Sequence, residues 1–285
     1  MTTPGTLLSQ VLAQLQASPE PRMREVMTSL VRHLHEFAAE VRLTDREWAA
    51  AVGFLTETGR LPERDEFILL SDTLGLSMLV DLLGGHAAEG ATETTVLGPF
   101  YVPDSPRRGN GTSTAERPSG DPAFVSGRVL GTDGTSITGA EVDVWQNGAD
   151  MMYAVQDKTM PPGNLRGLFT TDDEGRFSFL GVRPVDYPVP VDGPVGRLLE
   201  ATGRHPWRAA HLHAIVRADG YHPVTTHLFD DESRYLDSDV VFGVKPSLIK
   251  HFTPHEPGQP DRPAGIGPAE RWYSLDHDFV LVRAT

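Results

Sequence analysis

The chain reads as an α+β protein, with a helical domain over residues 1–95 followed by an all-β sandwich over 96–285. Three observations predict this. Apolar residues recur at spacings of three and four through residues 6–86, the period of a helix with one buried stripe. From about residue 95 Pro and Gly become frequent and short alternating runs replace that period. A length of 285 residues suits one or two domains with enough surface to bury a core.

In the helical part, Met23, Val26, Met27, Leu30, Leu34, Phe37 and Val41 mark one stripe. It is more apolar than a single short helix needs, so a partner chain is expected to cover part of it. Thr44 with Glu47 forms a capping box for the next helix, which carries Trp48, Val52 and Leu55. A fourth helix is expected through EFILLSDTLGLSMLVDLLGG, ended by Gly84–Gly85. His33 and His35 fall on differing faces and read as solvated or core residues rather than ligands.

Strands are expected at 124–132, 139–146, 175–182, 210–218, 224–230 and 278–284, a spacing that favours a sandwich. DDEG (172–175) and ADG (218–220) are turn signals, the second joining the strand that holds HLH to its neighbour. Residues 106–122 and 255–267 read as loops, the latter long enough for a flap. No internal repeat is seen.

Composition narrows the function. A formal net charge of −14 and no basic patch argue against nucleic acid. With no cysteine there are no disulfides, thiolate metal sites or cysteine nucleophiles. No run approaches the roughly 18 apolar residues of a membrane span. The N-terminal stretch lacks the pattern of a signal peptide, and a cytoplasmic protein is expected.

The most informative stretch is RAAHLHAIVRADGYHPVTTHLF (208–229). Residues i and i+2 of a strand share a face, so His211 and His213 project together, close enough to share a metal ion. The plainer reading is two polar positions on a wet face, but Ala210, Leu212 and Ala214 alternate with them and neither face looks solvent-exposed. Zinc held by two histidines and a carboxylate, or by three histidines with His227, is an option, but no carboxylate falls at a diagnostic spacing to the HLH pair. HLH is not the HxD/E of the non-haem Fe(II) triad, and the metal stays open on spacing alone. GxSxG, GxxxxGK[ST], HExxH and a GxGxxG after a strand are all missing. Tyr153 and Tyr187 sit in loops of the β half, and a phenol ligates at neutral pH only a strongly acidic, oxygen-preferring ion such as Fe(III).

LGPFYVPDSP (97–106), DVWQNGADMMYAVQD (143–157), the stretch 164–199 and the stretch 205–249 together resemble the intradiol ring-cleaving dioxygenases, and within them the members that act on hydroxyquinol. SDTLGLSMLVDLL in the helical part fits the same subgroup. The resemblance implies one Fe(III) per subunit held by Tyr153, Tyr187, His211 and His213. It implies Arg208 as stabiliser of negative charge on the substrate, and Tyr187 as a ligand that then serves as a base. Where typical catechol enzymes carry a glutamine, this chain has His227, a departure shared by the hydroxyquinol subgroup, and FGVK (242–245) points the same way.

The implied pocket has Leu97, Gly98, Pro99 and Phe100 on one wall and Val189 and Pro190 on another. Met78 and Asp81 enter it from the helices, and Arg208, His227 and Val241 complete it. Asp81, an acid in apolar LVDLL, needs a partner. A third substrate hydroxyl would serve, and so would a donor within the protein. The implied reaction inserts both atoms of O2 between adjacent hydroxyls of hydroxyquinol or a related catechol, giving a hydroxymuconate or maleylacetate. The implied partners are a small aromatic diol or triol, O2, and a second copy of the chain across the N-terminal helices, an interface that in this family can hold a lipid-like molecule. A catechol or chlorocatechol enzyme is the alternative within the class. A non-catalytic β-sandwich binding module is the alternative outside it.

Overall fold

Helical periodicity in the first third and alternation in the rest each appear as expected, in a computed structural model that describes residues 3–62, 64–84, 88–117, 120–260 and 262–284. Contacts divide the chain at 60/61. The first unit holds helices α1 (Pro4–Leu15), α2 (Pro21–Glu40) and α3 (Asp45–Thr58). The Thr44–Glu47 capping box forms at the start of α3, each partner accepting from the other's backbone. The stripe on α2 is exposed at Met23, Leu30, Leu34, Phe37 and Val41, and Trp48 and Leu55 of α3 are exposed too.

The second unit begins with α4 (Glu66–Thr73) and α5 (Leu76–Gly84). A single helix was expected here, and the structure corrects this. Gly75 takes a left-handed φ of 73° and the two pieces meet at a bend of 77°. A residue with a Cβ is disfavoured at that φ, so Gly75 is the hinge that splits the apolar run. Gly84 closes α5, while Gly85 lies outside the described residues. A buried Glu66 at the start of α4 accepts from Arg64 and from the Val195 N–H of α6 (Pro194–Ala201). Arg204, just past α6, donates to Thr73 O. These bonds tie α4 and the turn into α5 to the β-rich part.

That part carries β1 (Pro122–Gly131), β2 (Glu141–Trp145), β3 (Arg166–Thr170), β4 (Arg176–Val182), β5 (Tyr187–Pro188) and β6 (Trp207–Arg208). It continues with β7 (His211–Arg217), β8 (Val224–Asp230), β9 (Ile249–Lys250), β10 (Thr253–His255), β11 (Trp272–Asp276) and β12 (Phe279–Leu281). Among the described residues there are two five-stranded sheets. In one, β1 pairs with β4 and, in parallel, with β11 and β12, while β10 borders β11. The other runs β3-β2-β7-β8-β9. The core lies between them: Val125, Val129, Phe177, Phe179 and Phe279 from the first meet Val142, Val144, Phe169, Leu212, Ala214 and Leu228 from the second.

DDEG turns β3 into β4 with Gly175 at φ 74°, and ADG turns β7 into β8 with Gly220 at φ 79°. β3 and β11 escaped the sequence reading because RGLFT and WYSLD do not alternate cleanly. The last expected strand, 278–284, is shorter, Phe279–Leu281, and the pairing with β1 lapses at His277 and Asp278 without a change of register.

At this break the His277 carbonyl lies against Gly127. A Cβ at Gly127 would sit 1.8 Å from His277 O, so no side chain fits. Gly127→Ala should cost about 3 kcal/mol and lower Tm by ~6–12 °C, read by calorimetry. Burial, with Lys250 adding to it, pushes the His277 imidazole down to about 4. Below about pH 6.5 the unfolded chain therefore takes up a proton that the folded chain refuses, and stability falls progressively towards pH 4. His211, His213 and His227 shift in the same direction. His277→Gln should reduce the loss of stability between pH 7.5 and 5 without abolishing it, a difference that urea unfolding at both pH values checks.

Candidate metal centre

β7 has one face in the sandwich core, through Leu212, Ala214 and Val216. Its other face carries His211, His213 and Ile215, all at most 3% exposed. A covering layer of Phe100, Tyr101, Trp145, Tyr153 and Tyr187 buries that second face. Trp145 of β2 lies opposite His213 and stacks on its ring, with centroids 4.5 Å apart at 13°. His227 of β8 lies opposite His213 on the other side, so the three histidines share one face. Their nitrogens form a set within 4.8 Å of one another, all buried.

The two tyrosines arrive by different routes. Tyr153 follows β2, after Met151 at a left-handed φ of 66°, and its N–H donates to Gln156 Oε1. Phe100 stacks on its ring at 4.7 Å. Tyr187 lies in β5, paired directly with Arg208 in β6, so one short ribbon delivers both.

The donor atoms converge. Tyr153 Oη is 3.0 Å from His213 Nε2, and His213 Nε2 is 3.1 Å from His211 Nε2. His211 Nδ1 lies 2.6 Å from Ala209 O, which only accepts, so the ring proton is on Nδ1 and Nε2 presents a lone pair. Arg208 Nη1 donates to that nitrogen at 3.2 Å and to Tyr187 Oη at 3.4 Å. Ligands bound about 2.1 Å from a metal and at right angles to each other stand about 3.0 Å apart. The spacing of these atoms is therefore that of a metal's ligands, and two imidazoles with two phenols fit a hard, strongly acidic ion. Neither ring nitrogen of His227 makes a well-formed hydrogen bond, although the Val96 backbone lies by the ring.

Burial sets the charges. It holds all three imidazoles well below their usual pKa, with Arg208 adding to the effect, so each is neutral and able to ligate. It raises both phenols, Tyr153 the more, because Arg208 offsets part of the shift at Tyr187. Burial would also discharge Arg208, but Asp239 together with Tyr187 and Tyr153 outweighs it and the guanidinium stays charged. Asp239 takes Arg208 Nε at 3.1 Å and Nη2 at 3.4 Å, and also accepts from the Ala209 and Gly243 N–H groups.

The remaining expected residues divide. Gly98, at φ 78°, lies against the His213 ring, where a Cβ would be 3.4 Å from Cε1. Asp81, Leu97 and Gly98 line one cavity of about 590 Å³. Met78, Pro99, Phe100, Val189, Pro190, Arg208, His227 and Val241 are not in its lining, and neither are the two tyrosines or His211 and His213. Phe100 is on the tyrosines, and Met78 Sδ lies 3.4 Å from Thr95 Oγ1. Pro99 is half-buried between Gly98 and Phe100. Val189 is buried, its N–H on Pro206 O, and Pro190 follows it. Val241 is buried beside Val240, whose N–H reaches Trp207 O.

Asp81 has a partner inside the protein: Lys245 Nζ donates to its Oδ2 at 2.9 Å. Asp239, Trp145, Lys245 and Asp72 were not found from the sequence. Asp72 is a buried acid on the cavity wall, raised by burial and partly relieved by the Ser77 hydroxyl. Asp239 and Lys245 have partners far away in sequence, and although FGVK includes Lys245, no local pattern shows what it binds.

A β-sandwich with a buried cage of two imidazoles and two phenols, beside a charged arginine, defines a class of metal-dependent oxygenase sites. Residues 96–282 match the family described as "Dioxygenase", and residues 20–92 match "Catechol dioxygenase N terminus". The chain is 46% identical over 277 residues to hydroxyquinol 1,2-dioxygenase from Rhizobium sp., covering 96% of this chain and 93% of that one. It is equally identical to 6-chlorohydroxyquinol 1,2-dioxygenase from Cupriavidus pinatubonensis, over 96% of both. The crystal structure of hydroxyquinol 1,2-dioxygenase from Pseudomonas putida superposes with a TM-score of 0.89 at 45% identity, over 99% of both chains. The chain belongs to the intradiol ring-cleavage dioxygenases, and it is an enzyme of that family.

If Arg208 meets developing negative charge, Arg208→Ala should lower kcat about 100- to 1000-fold. Asp239→Asn, which leaves Arg208 in place but loosely held, should lower it about 10- to 100-fold. Steady-state oxygen uptake with both variants measures this.

Proposed function

We propose that this chain is a cytoplasmic enzyme that cleaves hydroxyquinol between its two adjacent hydroxyls, with Fe(III), one per subunit, held by Tyr153, Tyr187, His211 and His213. The observation that carries this is the convergence of Tyr153 Oη, His213 Nε2 and His211 Nε2 at 3.0 and 3.1 Å, with Tyr187 and Arg208 alongside. Bound Fe(III) supplies Lewis acidity and electron demand that open a chelated diolate ring to O2.

The protein's own residues do the rest. Tyr187, ionised where it would hold the metal, would take a hydroxyl proton from the substrate at Oη, and Arg208 Nη1 stays beside that oxygen. Arg208, held by Asp239 through Nε and Nη2 along one edge, meets charge building on the substrate oxygens without having to move. His211 keeps its proton on Nδ1, against Ala209 O, and so keeps Nε2 free to ligate. Trp145 and Phe100 stack on His213 and Tyr153 and exclude water from the cage.

His227 supports the hydroxyquinol assignment over catechol, as do relatives named for hydroxyquinol and 6-chlorohydroxyquinol. The exposed apolar stripe of α2 and α3 supports a homodimer through these helices. An apolar hollow of about 710 Å³ lined by Leu7, Val11, Val31 and Leu34 supports a lipid-like occupant.

Purified protein should be wine-red from tyrosinate-to-iron charge transfer, and Tyr153→Phe should shift or bleach that band. Oxygen uptake over hydroxyquinol, catechol and their chloro- and methyl-derivatives should be fastest with hydroxyquinol or its chlorinated form. Colourless protein that takes up no iron would refute the ligand set. A clear preference for catechol would refute the substrate.

A further inference from the structure

The short segment Asp239–Lys245 touches both the catalytic arginine and the cavity acid. Its first residue clamps Arg208, and Gly243 N–H ties back to Asp239 Oδ2 at 2.9 Å. Phe242 between them takes a left-handed φ of 59°, rare for an aromatic residue, which tightens the turn. Thr95 Oγ1 donates to Gly243 O at 2.9 Å and so fastens this segment to the strip 94–98 that runs to His213.

At the far end, Lys245 Nζ donates to Asp81 Oδ2 at 2.9 Å and to Thr94 O at 2.6 Å. Both side chains are nearly buried, 13% and 14% exposed. Asp81, itself largely covered, stands on a helix with exposed apolar residues Leu76, Leu79, Val80, Leu82 and Leu83. Its carboxylate lines the cavity together with Gly98, which lies on the His213 ring. Lys245 engages Oδ2, and among the described residues no donor is seen on Oδ1.

We propose that Lys245 is a positioning residue that fixes the Asp81 carboxylate for the substrate hydroxyl remote from the cleaved bond, and so sets the preference for a triol over a diol. The proposal rests on the hydroxyquinol reading above. A carboxylate in an apolar wall without its ionic partner turns to solvent or adopts several rotamers. A site shaped to accept a hydrogen bond from a hydroxyl discriminates against the analogue lacking it only while the acceptor is held in place.

The test compares kcat/KM for hydroxyquinol and catechol in the wild-type holoenzyme and in Lys245→Met, Lys245→Arg, Asp81→Asn and the Lys245→Met/Asp81→Asn double variant. Anaerobic dissociation constants for both compounds, from titration of the visible band, serve as the second readout. Lys245→Met should lower the hydroxyquinol-to-catechol ratio about tenfold, through weaker hydroxyquinol binding, and Lys245→Arg should keep it within about threefold. In the Asp81→Asn background Lys245→Met should add nothing. An unchanged ratio in Lys245→Met overturns the proposal, and so does an equal loss in the Asp81→Asn background. Lys245→Gln reads the same ratio should the Met variant fail to fold. A wild-type preference for catechol overturns the substrate reading itself, whereas a hydroxyquinol preference indifferent to Lys245 overturns the positioning role alone.

Discussion

The architecture depends on one strand with two buried faces. Alternation along β7 sends Leu212, Ala214 and Val216 into the sandwich and His211 and His213 away from it. A slip of one residue would drive both imidazoles into hydrocarbon and pull the core open, so core packing itself fixes the register of the site. The histidines need no dedicated scaffold, because packing of the hydrophobic core already orients them. The second face stays dry only because Phe100, Tyr101, Trp145, Tyr153 and Tyr187 cover it.

Dryness is also what makes the centre electrostatically consistent. A buried guanidinium is costly unless paired, and Asp239 pairs Arg208 through two nitrogens. The paired cation then disfavours protonation of the nearby imidazoles and eases ionisation of Tyr187. The same field therefore keeps the nitrogen donors neutral and lowers the cost of a phenolate. Lone pairs only 3.0 and 3.1 Å apart leave the cage short of positive charge, which a multivalent cation would supply.

What could be read from the sequence follows the range of each interaction. The HLH pair, the ADG turn, the Thr44 capping box and most core strands rest on neighbours within a few residues, where period and turn chemistry decide the outcome. The two tyrosines were singled out by type, and only the family resemblance joined them to the histidines, since 60 residues separate Tyr153 from His213. Asp239 stands 31 residues from Arg208, and Lys245 stands 164 from Asp81. No local pattern encodes such pairs. The α4–α5 break was hidden for another reason: LGL keeps the apolar period intact, and only the backbone freedom of Gly75 permits the bend.

The parallel pairing of β1 with β11 and β12 bears on how the molecule is made. Residues 123–131 lie beside 273–281, so the middle of one sheet is built from stretches about 150 positions apart. This sheet, which packs behind the one that carries the histidines, cannot close until residues 272–281 have been made. Until then β1 carries an unpaired, apolar edge. Pairing of β1 with β11 and β12 is thus a contact of high sequence separation, the kind that slows folding.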